Sequence, residues 1–331
     1  MRSGRGPRPR LVRARGSRRP RPESKLAAVG TDLGERLVAA ISSELGTTPG
    51  YRAAHAKGMC FDAVFTPTPM AARFSTAPHL QGGPVPAVVR FSNASSNPRA
   101  KDAAQEVGGM AVKFLLPDGR ETDIVAISLP VFFVREPEHF IEFTHARTSN
   151  LRVLAYAIRH PESLRAILYA GRRRGRLMAS RWEAAYYGIH AFRWLGPEGG
   201  VTHVRYELNP EAGVREIPRR EASGKDPDFL NQELAARLQQ GPVAFELCVR
   251  LAEAGDATDD PTRPWPAARR RVRAGRLEIT RAVEDQRDGC ERRVFDPTHV
   301  IDGIECSDDR ILAARREAYS VSIERRLKET S

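Results

Sequence analysis

The stretch G-M-A-V-K-F-L-L-P-D-G-R-E-T-D-I-V-A-I-S, residues 109–128, decides the fold class. Two runs rich in valine, isoleucine and phenylalanine flank the turn P-D-G, a pattern that predicts an antiparallel hairpin. Similar short runs lie on both sides of it, among them F-D-A-V-F-T-P-T, P-A-V-V-R-F-S-N, T-H-V-R-Y-E-L, V-A-F-E-L-C-V-R-L and R-L-E-I-T. Strands that follow one another without intervening helices predict an α+β fold built on an antiparallel sheet or barrel.

Three stretches predict flanking helices. The first begins after Asp32, which with Glu35 resembles a capping box, and leucines recur along one face of it. The second covers residues 137–170. The third starts near Ser307, a good N-cap residue, and ends in a basic turn. The chain therefore predicts helices before, within and after the strand-rich region.

The last helix carries polar and aromatic side chains on one stripe, namely Arg315, Tyr319, Ser322 and Arg326. Ile311 and Leu312 lie beside this stripe and mark it as the buried side. Buried arginines require anions. A Tyr319 phenolate, its pKa lowered by Arg315, is one candidate, and a carboxylate of a ligand beside Arg326 is another. The alternative is a surface helix with ordinary pairing between residues four apart.

Nine of the chain's arginines lie in residues 1–22, which contain no acidic residue, whereas the formal net charge of all 331 residues is +12. Residues 1–25 are predicted to form a disordered arginine-rich tail. It could bind nucleic acid or a membrane surface, or it could be a solvated tail or the product of a mis-assigned start codon. The chain has no apolar run of ~18 residues for a transmembrane helix. It also lacks the ~7–15-residue apolar core of a secretory signal, which predicts a cytoplasmic protein.

The four cysteines (60, 248, 290 and 306) are far apart and form no C-x-x-C pair. This spacing argues against a cysteine zinc cluster and against a disulfide scaffold. It fits a reducing compartment.

Several co-linear blocks resemble the haem catalases. R-A-A-H-A-K-G is similar to the R-x-x-H-A-K-G segment of that family. The blocks A-V-V-R-F-S-N, G-G-M-A-V-K-F, P-V-F-F-V-R-E-P-E-H-F and Y-Y-G-I-H-A-F-R-W follow in the catalase order. The run from F-D-P-T-H to A-A-R-R-E-A-Y resembles the catalase segment that ends in the iron-ligating tyrosine. The match spans residues 50–326, and the chain stops soon after the tyrosine helix, as in the small catalase-related peroxidase branch.

The resemblance implies a catalase-like antiparallel barrel of about eight strands. Residues 26–331 would form one haem-binding domain, with flanking helices and a C-terminal helix that carries the ligand Tyr319. Tyrosine is a known axial ligand of haem iron. The implied cofactor is haem b. His55 would be the distal general acid/base for O–O cleavage, oriented by Ser92.

The remaining matched residues take roles implied by the same resemblance. Arg315 would hold the tyrosinate, and Ser322 lies on the cofactor side of the helix. The residues expected to pair with the haem propionates are Arg52, Arg90 and Arg326. The residues expected to line the distal side are Phe132, Phe133 and Phe140.

Ile127 departs from the family, because catalases carry at this position an asparagine that hydrogen-bonds peroxide. An aliphatic side chain makes the pocket more apolar, and Ser128 points to the opposite strand face. Gly108 stands where the family has an arginine. The sequence therefore predicts a haem peroxidase that reduces hydrogen peroxide or organic hydroperoxides through a ferryl (compound I) intermediate. Peroxidase turnover is expected to outweigh catalase turnover.

Two other functions are compatible with these residues. One is rearrangement of fatty-acid hydroperoxides, as in the allene oxide synthases related to catalase; Arg52 speaks against it and Ile127 in its favour. The other is a non-enzymatic haem-binding or sensing role. The expected partners are a peroxide, an electron donor and further copies of the chain in a dimer or tetramer. No membrane partner is expected, and nucleic acid is expected only through the tail.

Overall fold

The computed structural model describes residue 1, residues 33–43, residue 46 and residues 48–104, 106–147 and 149–328. Apart from residue 1, the predicted disordered tail lies outside the described residues, as does the predicted cap Asp32. The division into a tail of residues 1–25 and a domain of residues 26–331 stays a prediction.

Twelve strands are formed within the described residues. They are β1 (Gly58–Pro67), β2 (Val85–Asn93), β3 (Gly108–Leu115), β4 (Glu121–Ile127), β5 (Arg176–Met178), β6 (Tyr186–Tyr187), β7 (Phe192–Leu195), β8 (Val201–Pro210), β9 (Glu216–Pro218), β10 (Val243–Leu251), β11 (Arg271–Ala282) and β12 (Ile304–Cys306).

Eight of these strands close into an antiparallel barrel in the order β10-β11-β1-β2-β3-β4-β6-β8, because β8 pairs back onto β10. The hairpin predicted from residues 109–128 is present as β3 and β4, with Lys113 opposite Asp123. Gly119 ends its turn at φ +82°, a conformation that favours glycine. The predicted α+β fold with an antiparallel barrel is confirmed.

Aromatic side chains fill the barrel. Phe65 packs edge-on against Phe114, with ring centroids 5.0 Å apart, and Phe61 meets Phe91 in the same way at 5.9 Å. All four are almost completely buried. Burial of each such side chain contributes about 1.5–3 kcal/mol, so the core holds the strands that carry the site in place.

Helices cover the outside of the barrel. Residues 33–43 form α1. The others are α2 (Pro69–Ala72), α3 (Pro137–Ala146), α4 (Asn150–Arg159), α5 (Leu164–Arg172), α6 (Arg219–Ser223), α7 (Phe229–Leu238) and α8 (Arg310–Lys328). At Gly34, a Cβ atom would lie 2.9 Å from Glu317, so α1 packs closely on α8.

The N-cap of α8 is Asp309, so the prediction of Ser307 was wrong. Asp309 Oδ1 accepts hydrogen bonds from the backbone N–H groups of Ile311 (2.8 Å) and Leu312 (3.2 Å). A carboxylate that begins the helix two residues later takes the place of the Ser307 hydroxyl. Ile311 and Leu312 are buried, as predicted.

The argument against disulfides was also wrong, because Cys60 and Cys290 form a disulfide across a sequence separation of 230 residues. Cys60 lies on β1, and Cys290 lies on the π-helical turn Arg287–Glu291, with a Cα–Cα distance of 5.5 Å. Distance along the chain says nothing about distance in the fold, so the spacing was uninformative. Cys248 and Cys306 are free. Among the helices of the described residues, none has the length and apolar character needed to cross a bilayer.

Candidate active site

His55 adopts a backbone conformation that is uncommon for residues other than glycine. Its φ is +57°, and no other non-glycine residue of the described chain has a positive φ. Such a conformation costs on the order of 1–3 kcal/mol and is found where the surroundings hold a residue for function. His55 Nδ1 is hydrogen-bonded to Ser92 Oγ at 2.9 Å. The strained residue is therefore anchored to strand β2.

Burial, helped by the positive charges of Arg90, Arg315 and Arg52, lowers the pKa of His55 to about 3. The imidazole is therefore neutral at all pH values well above 3. A neutral ring hydrogen-bonded through one nitrogen can accept a proton on this side of the barrel.

Ser92, Gly109 and Ile127 form a row across three neighbouring strands. Ser92 pairs with Gly109, and Gly109 pairs with Ile127. Directly paired residues point to the same sheet face. A Cβ atom on Gly109 would lie 2.7 Å from Ser92 Oγ and 2.8 Å from His55 Nδ1, so this face is the one that carries the imidazole. Only glycine at position 109 leaves room for the ring.

Ile127 consequently lies on the same face as His55, while Ser128 lies on the other face and accepts a hydrogen bond from Gly108 N at 3.0 Å. Ile127 is half-buried and packs with the phenylalanines described below. The predicted geometry of Ser92, Ile127 and Ser128 is present; the roles of these residues stay predictions.

A cluster of arginines shares one carboxylate that the sequence reading missed. Glu291 forms ion pairs with Arg52 and with Arg90, the latter at 3.2 Å. Arg52 also donates to the carbonyls of Cys290 (3.2 Å) and Arg293 (2.7 Å). The charge of Glu291 acts on Arg326 as well. Two guanidinium groups thus pair with a single carboxylate, whose charge also acts on a third, and positive charge is in excess.

Tyr319 and Arg315 lie one turn apart on α8, as predicted, and Arg315 does favour the phenolate, but the prediction that this suffices to lower the tyrosine pKa was wrong. Burial raises the pKa of the Tyr319 phenol, while Arg315 and Arg52 act in the opposite direction. Loss of the solvent that stabilises a phenolate outweighs the attraction of the guanidinium groups. Ser322, half-buried, lies on the same helix.

Arg52 connects the two sides of the site, since its charge acts on the pKa of both His55 and Tyr319. The imidazole and the phenol therefore belong to one electrostatic neighbourhood, although His55 precedes β1 and Tyr319 is on α8.

The predicted phenylalanines form one apolar wall beside this neighbourhood. Phe132 stacks parallel to Phe140 at 6.3 Å and contacts Phe133 at 4.3 Å. The guanidinium of Arg315 lies 5.6 Å from the Phe132 ring centroid. The wall therefore reaches α8; that these rings line the distal side stays a prediction.

Two further buried groups position the site, and sequence reasoning assigned a role to neither. His190 Nδ1 is hydrogen-bonded to Asp309 Oδ2 at 2.6 Å, which fastens the start of α8 to the barrel. Arg181 donates to the carbonyl of Ser92 (3.0 Å) and to Asn93 Oδ1 (2.8 Å), which holds the end of β2. His190 lies in the quoted block Y-Y-G-I-H-A-F-R-W, so the family resemblance could have pointed to it. Arg181 lies outside the quoted blocks, and no sequence pattern pointed to it.

These residues fit a haem group. Arg90 Nε is buried without a hydrogen-bond partner among the described residues. The excess positive charge around Glu291 suits two propionates. The phenol of Tyr319 is an established type of haem-iron ligand, and the phenylalanine wall suits a flat apolar macrocycle.

Comparison with known proteins agrees with this geometry. The sequence model of the catalase family matches residues 49–330. The chain is 43% identical to a catalase-related peroxidase of Mycolicibacterium paratuberculosis over 88% of this chain and 94% of that one. It is 31% identical to a catalase-related peroxidase of Synechococcus elongatus over 89% and 88%. The solved structure of a bacterial catalase is 25% identical with a TM-score of 0.77 over 85% of this chain, which spans 58% of that catalase.

Proposed function

Because this chain belongs to the catalase family, we propose that it is a haem b-dependent peroxidase with weak catalase activity. Its substrates would be hydrogen peroxide, organic hydroperoxides or both, with an external electron donor. The observation that carries the proposal is the neutral imidazole of His55, held by Ser92 against Gly109 in a neighbourhood that also contains Tyr319.

His55 and Ser92 have separate roles in the proposed cleavage of peroxide. Bound haem would supply the redox chemistry that cleaves the peroxide O–O bond, with electrons that the external donor replaces. His55 accepts the proton of the incoming peroxide and returns it to the departing oxygen, which is general acid/base catalysis. A pKa well below neutral keeps the ring unprotonated, so a ring nitrogen is free to receive that proton at neutral pH. Ser92 fixes the orientation of the ring.

Tyr319 would ligate the iron, and coordination would favour the phenolate that burial alone disfavours. Arg315 would stabilise that phenolate from one turn away. Arg52, Arg90 and Arg326 would hold the propionates, which compete with Glu291 for the same guanidinium groups. Ser322 and Phe140 would contact the macrocycle.

The preference for peroxidase turnover follows from Ile127. An isoleucine cannot hydrogen-bond a second hydrogen peroxide, and it joins the apolar wall of Phe133 and Phe140. A drier pocket favours larger peroxides and transfer of electrons from an external donor. The ferryl intermediate implied by the family resemblance stays a prediction.

The same apolar wall favours a second candidate, the rearrangement of fatty-acid hydroperoxides. A product analysis separates the two, because reduction yields the alcohol whereas rearrangement yields an isomer or dehydration product without consuming a donor.

The dimer or tetramer and the cytoplasmic location stay predictions. The Cys60–Cys290 disulfide removes the cysteine argument for a reducing compartment.

The deciding experiment compares absorption spectra of haem-loaded wild type, Tyr319→Phe and the control Tyr169→Phe. Tyr169 lies on α5, and its hydroxyl accepts a hydrogen bond from Arg173. We expect features of phenolate ligation in wild type and in the control, and their loss in Tyr319→Phe. A Tyr319→Phe spectrum identical to wild type would rule out this ligand. Dye oxidation and oxygen release are then measured in parallel; oxygen release without dye oxidation would contradict the peroxidase assignment.

A further inference from the structure

Three metal-ligating side chains converge away from the active site, on the α3–α4 hairpin. His139 lies on α3, His160 follows α4, and Glu162 lies on the turn Pro161–Ser163. Glu162 Oε1 is 3.3 Å from His139 Nδ1 and 3.4 Å from His160 Nδ1. All three ligand atoms lie within 4.8 Å of one another.

These distances match the edges of a zinc coordination tetrahedron. With bonds of ~2.0–2.1 Å, two ligands of a tetrahedral zinc ion are separated by ~3.3–3.4 Å. Both contacts of Glu162 already have this length. The ligand atoms of the two histidines lie within 4.8 Å of each other, so they would have to approach by at most about 1.4 Å.

A second carboxylate fixes the orientation of one histidine. His160 Nε2 lies 3.0 Å from Glu142 Oε2, so this nitrogen donates its proton to Glu142. The Nδ1 lone pair of His160 is then directed at the cluster. This carboxylate–histidine arrangement is the usual support of a metal-binding imidazole. The Tyr156 ring, stacked on His160 at 4.2 Å, locks the same orientation.

The other histidine offers an unused nitrogen. His139 Nδ1 is buried and makes no hydrogen bond to the described residues, despite its proximity to Glu162. The cluster is nonetheless open to ions, since Glu162 keeps about a quarter of its side-chain surface exposed (24%) and His139 keeps 29%.

We propose that His139, His160 and Glu162 bind a zinc ion, with a water molecule as the fourth ligand. Two imidazoles and one carboxylate are a donor set that zinc accepts readily. The ion would clamp α3 to the end of α4. Tyr156 links this clamp to the phenylalanine wall, because its ring also contacts Phe143 at 5.3 Å, and Phe143 packs on Phe133 at 4.4 Å.

The test uses the full-length chain with and without haem, freed of metal by a chelator and desalted. Zinc is titrated in competition with a chromophoric chelator, and bound zinc and iron are counted by elemental analysis. We expect one zinc per chain, with affinity at least 100-fold lower in Glu162→Gln and His139→Gln. Glu142→Gln is expected to lower the zinc affinity about 10- to 100-fold, as loss of a hydrogen-bond partner of a metal-binding histidine does. His203→Gln, a histidine on β8, is the matched control and should bind as wild type does.

Two results overturn the proposal. One is a wild-type stoichiometry well below one zinc per chain. The other is equal affinity in wild type, Glu162→Gln and His139→Gln, which would assign the ion to another surface. Hydrogen exchange provides a second readout: zinc should slow exchange in residues 137–163 of wild type and leave Glu162→Gln unchanged. None of these readouts depends on peroxidase activity, so they test the zinc site independently of the proposed function.

Discussion

Gly109→Ala should displace the imidazole of His55 without removing any polar group from the site. The added methyl group would lie 2.8 Å from His55 Nδ1 and 2.7 Å from Ser92 Oγ. Ordinary contact begins at 3.4 Å, so the ring must move by about 0.6 Å. Added along the 2.9 Å bond to Ser92, a shift of this size gives a distance of about 3.5 Å, outside the ~2.7–3.2 Å of a normal hydrogen bond.

The expected loss in kcat/KM for dye oxidation is about 10- to 100-fold. A displacement of about 1 Å in a reacting group costs on the order of 100-fold, and loss of a histidine acid/base costs about 100- to 10,000-fold. Haem content and the Soret band should remain near wild type, because Tyr319 and the arginine cluster are untouched.

Two controls make this result specific. Gly83→Ala adds the same methyl group where no atom lies within 4 Å, and it should leave the rate unchanged. In a His55→Ala background, Gly109→Ala should cost little more, because the group that it displaces is already gone. A Gly109→Ala rate within twofold of wild type at equal haem content would refute the reasoning that this glycine makes room for a catalytic imidazole.

Three other predictions follow from the structure. Ile127→Asn supplies a hydrogen-bond donor beside His55 and should raise oxygen release relative to dye oxidation by up to about tenfold, since a hydrogen bond contributes about 0.5–1.5 kcal/mol; an unchanged ratio would contradict the role of Ile127. Burial lowers the pKa of His79 from 6.5 to about 3. As the pH falls below 6.5, the imidazole therefore becomes protonated only in the unfolded state, and the free energy of unfolding decreases. Between pH 6 and pH 5, His79→Phe should therefore lose about 1 kcal/mol less of its unfolding free energy than wild type does, as measured by urea titration; equal slopes would contradict it. Denatured protein should titrate two thiols without reductant and four after reduction, because Cys60 and Cys290 are joined; four thiols at the outset would contradict the disulfide.

Much of the fold was predictable because its signals are local. The valine and phenylalanine runs around P-D-G lead to β3 and β4, since strand and turn preferences act over a few residues. The stripe on the last helix placed Arg315, Tyr319 and Arg326 together, because helical spacing alone decides which side chains share a face.

The positions of Ser92 and Ile127 opposite His55 were accessible only through the family resemblance. Pattern alone assigns Ile127 to a strand face but does not say what that face meets. Strand register and barrel closure bring the row Ser92–Gly109–Ile127 under the imidazole.

The sequence by itself determined the elements, the helix stripe and the block order of a catalase. Only the tertiary structure decided the positive φ of His55, the carboxylate Glu291 among the arginines, the Cys60–Cys290 disulfide and the convergence of His139, His160 and Glu162. Each of these depends on contacts between segments that come together only when the barrel closes or its helices pack. The raised pKa of Tyr319 has the same origin, because burial is a property of the packed fold and not of the residue's neighbours along the chain.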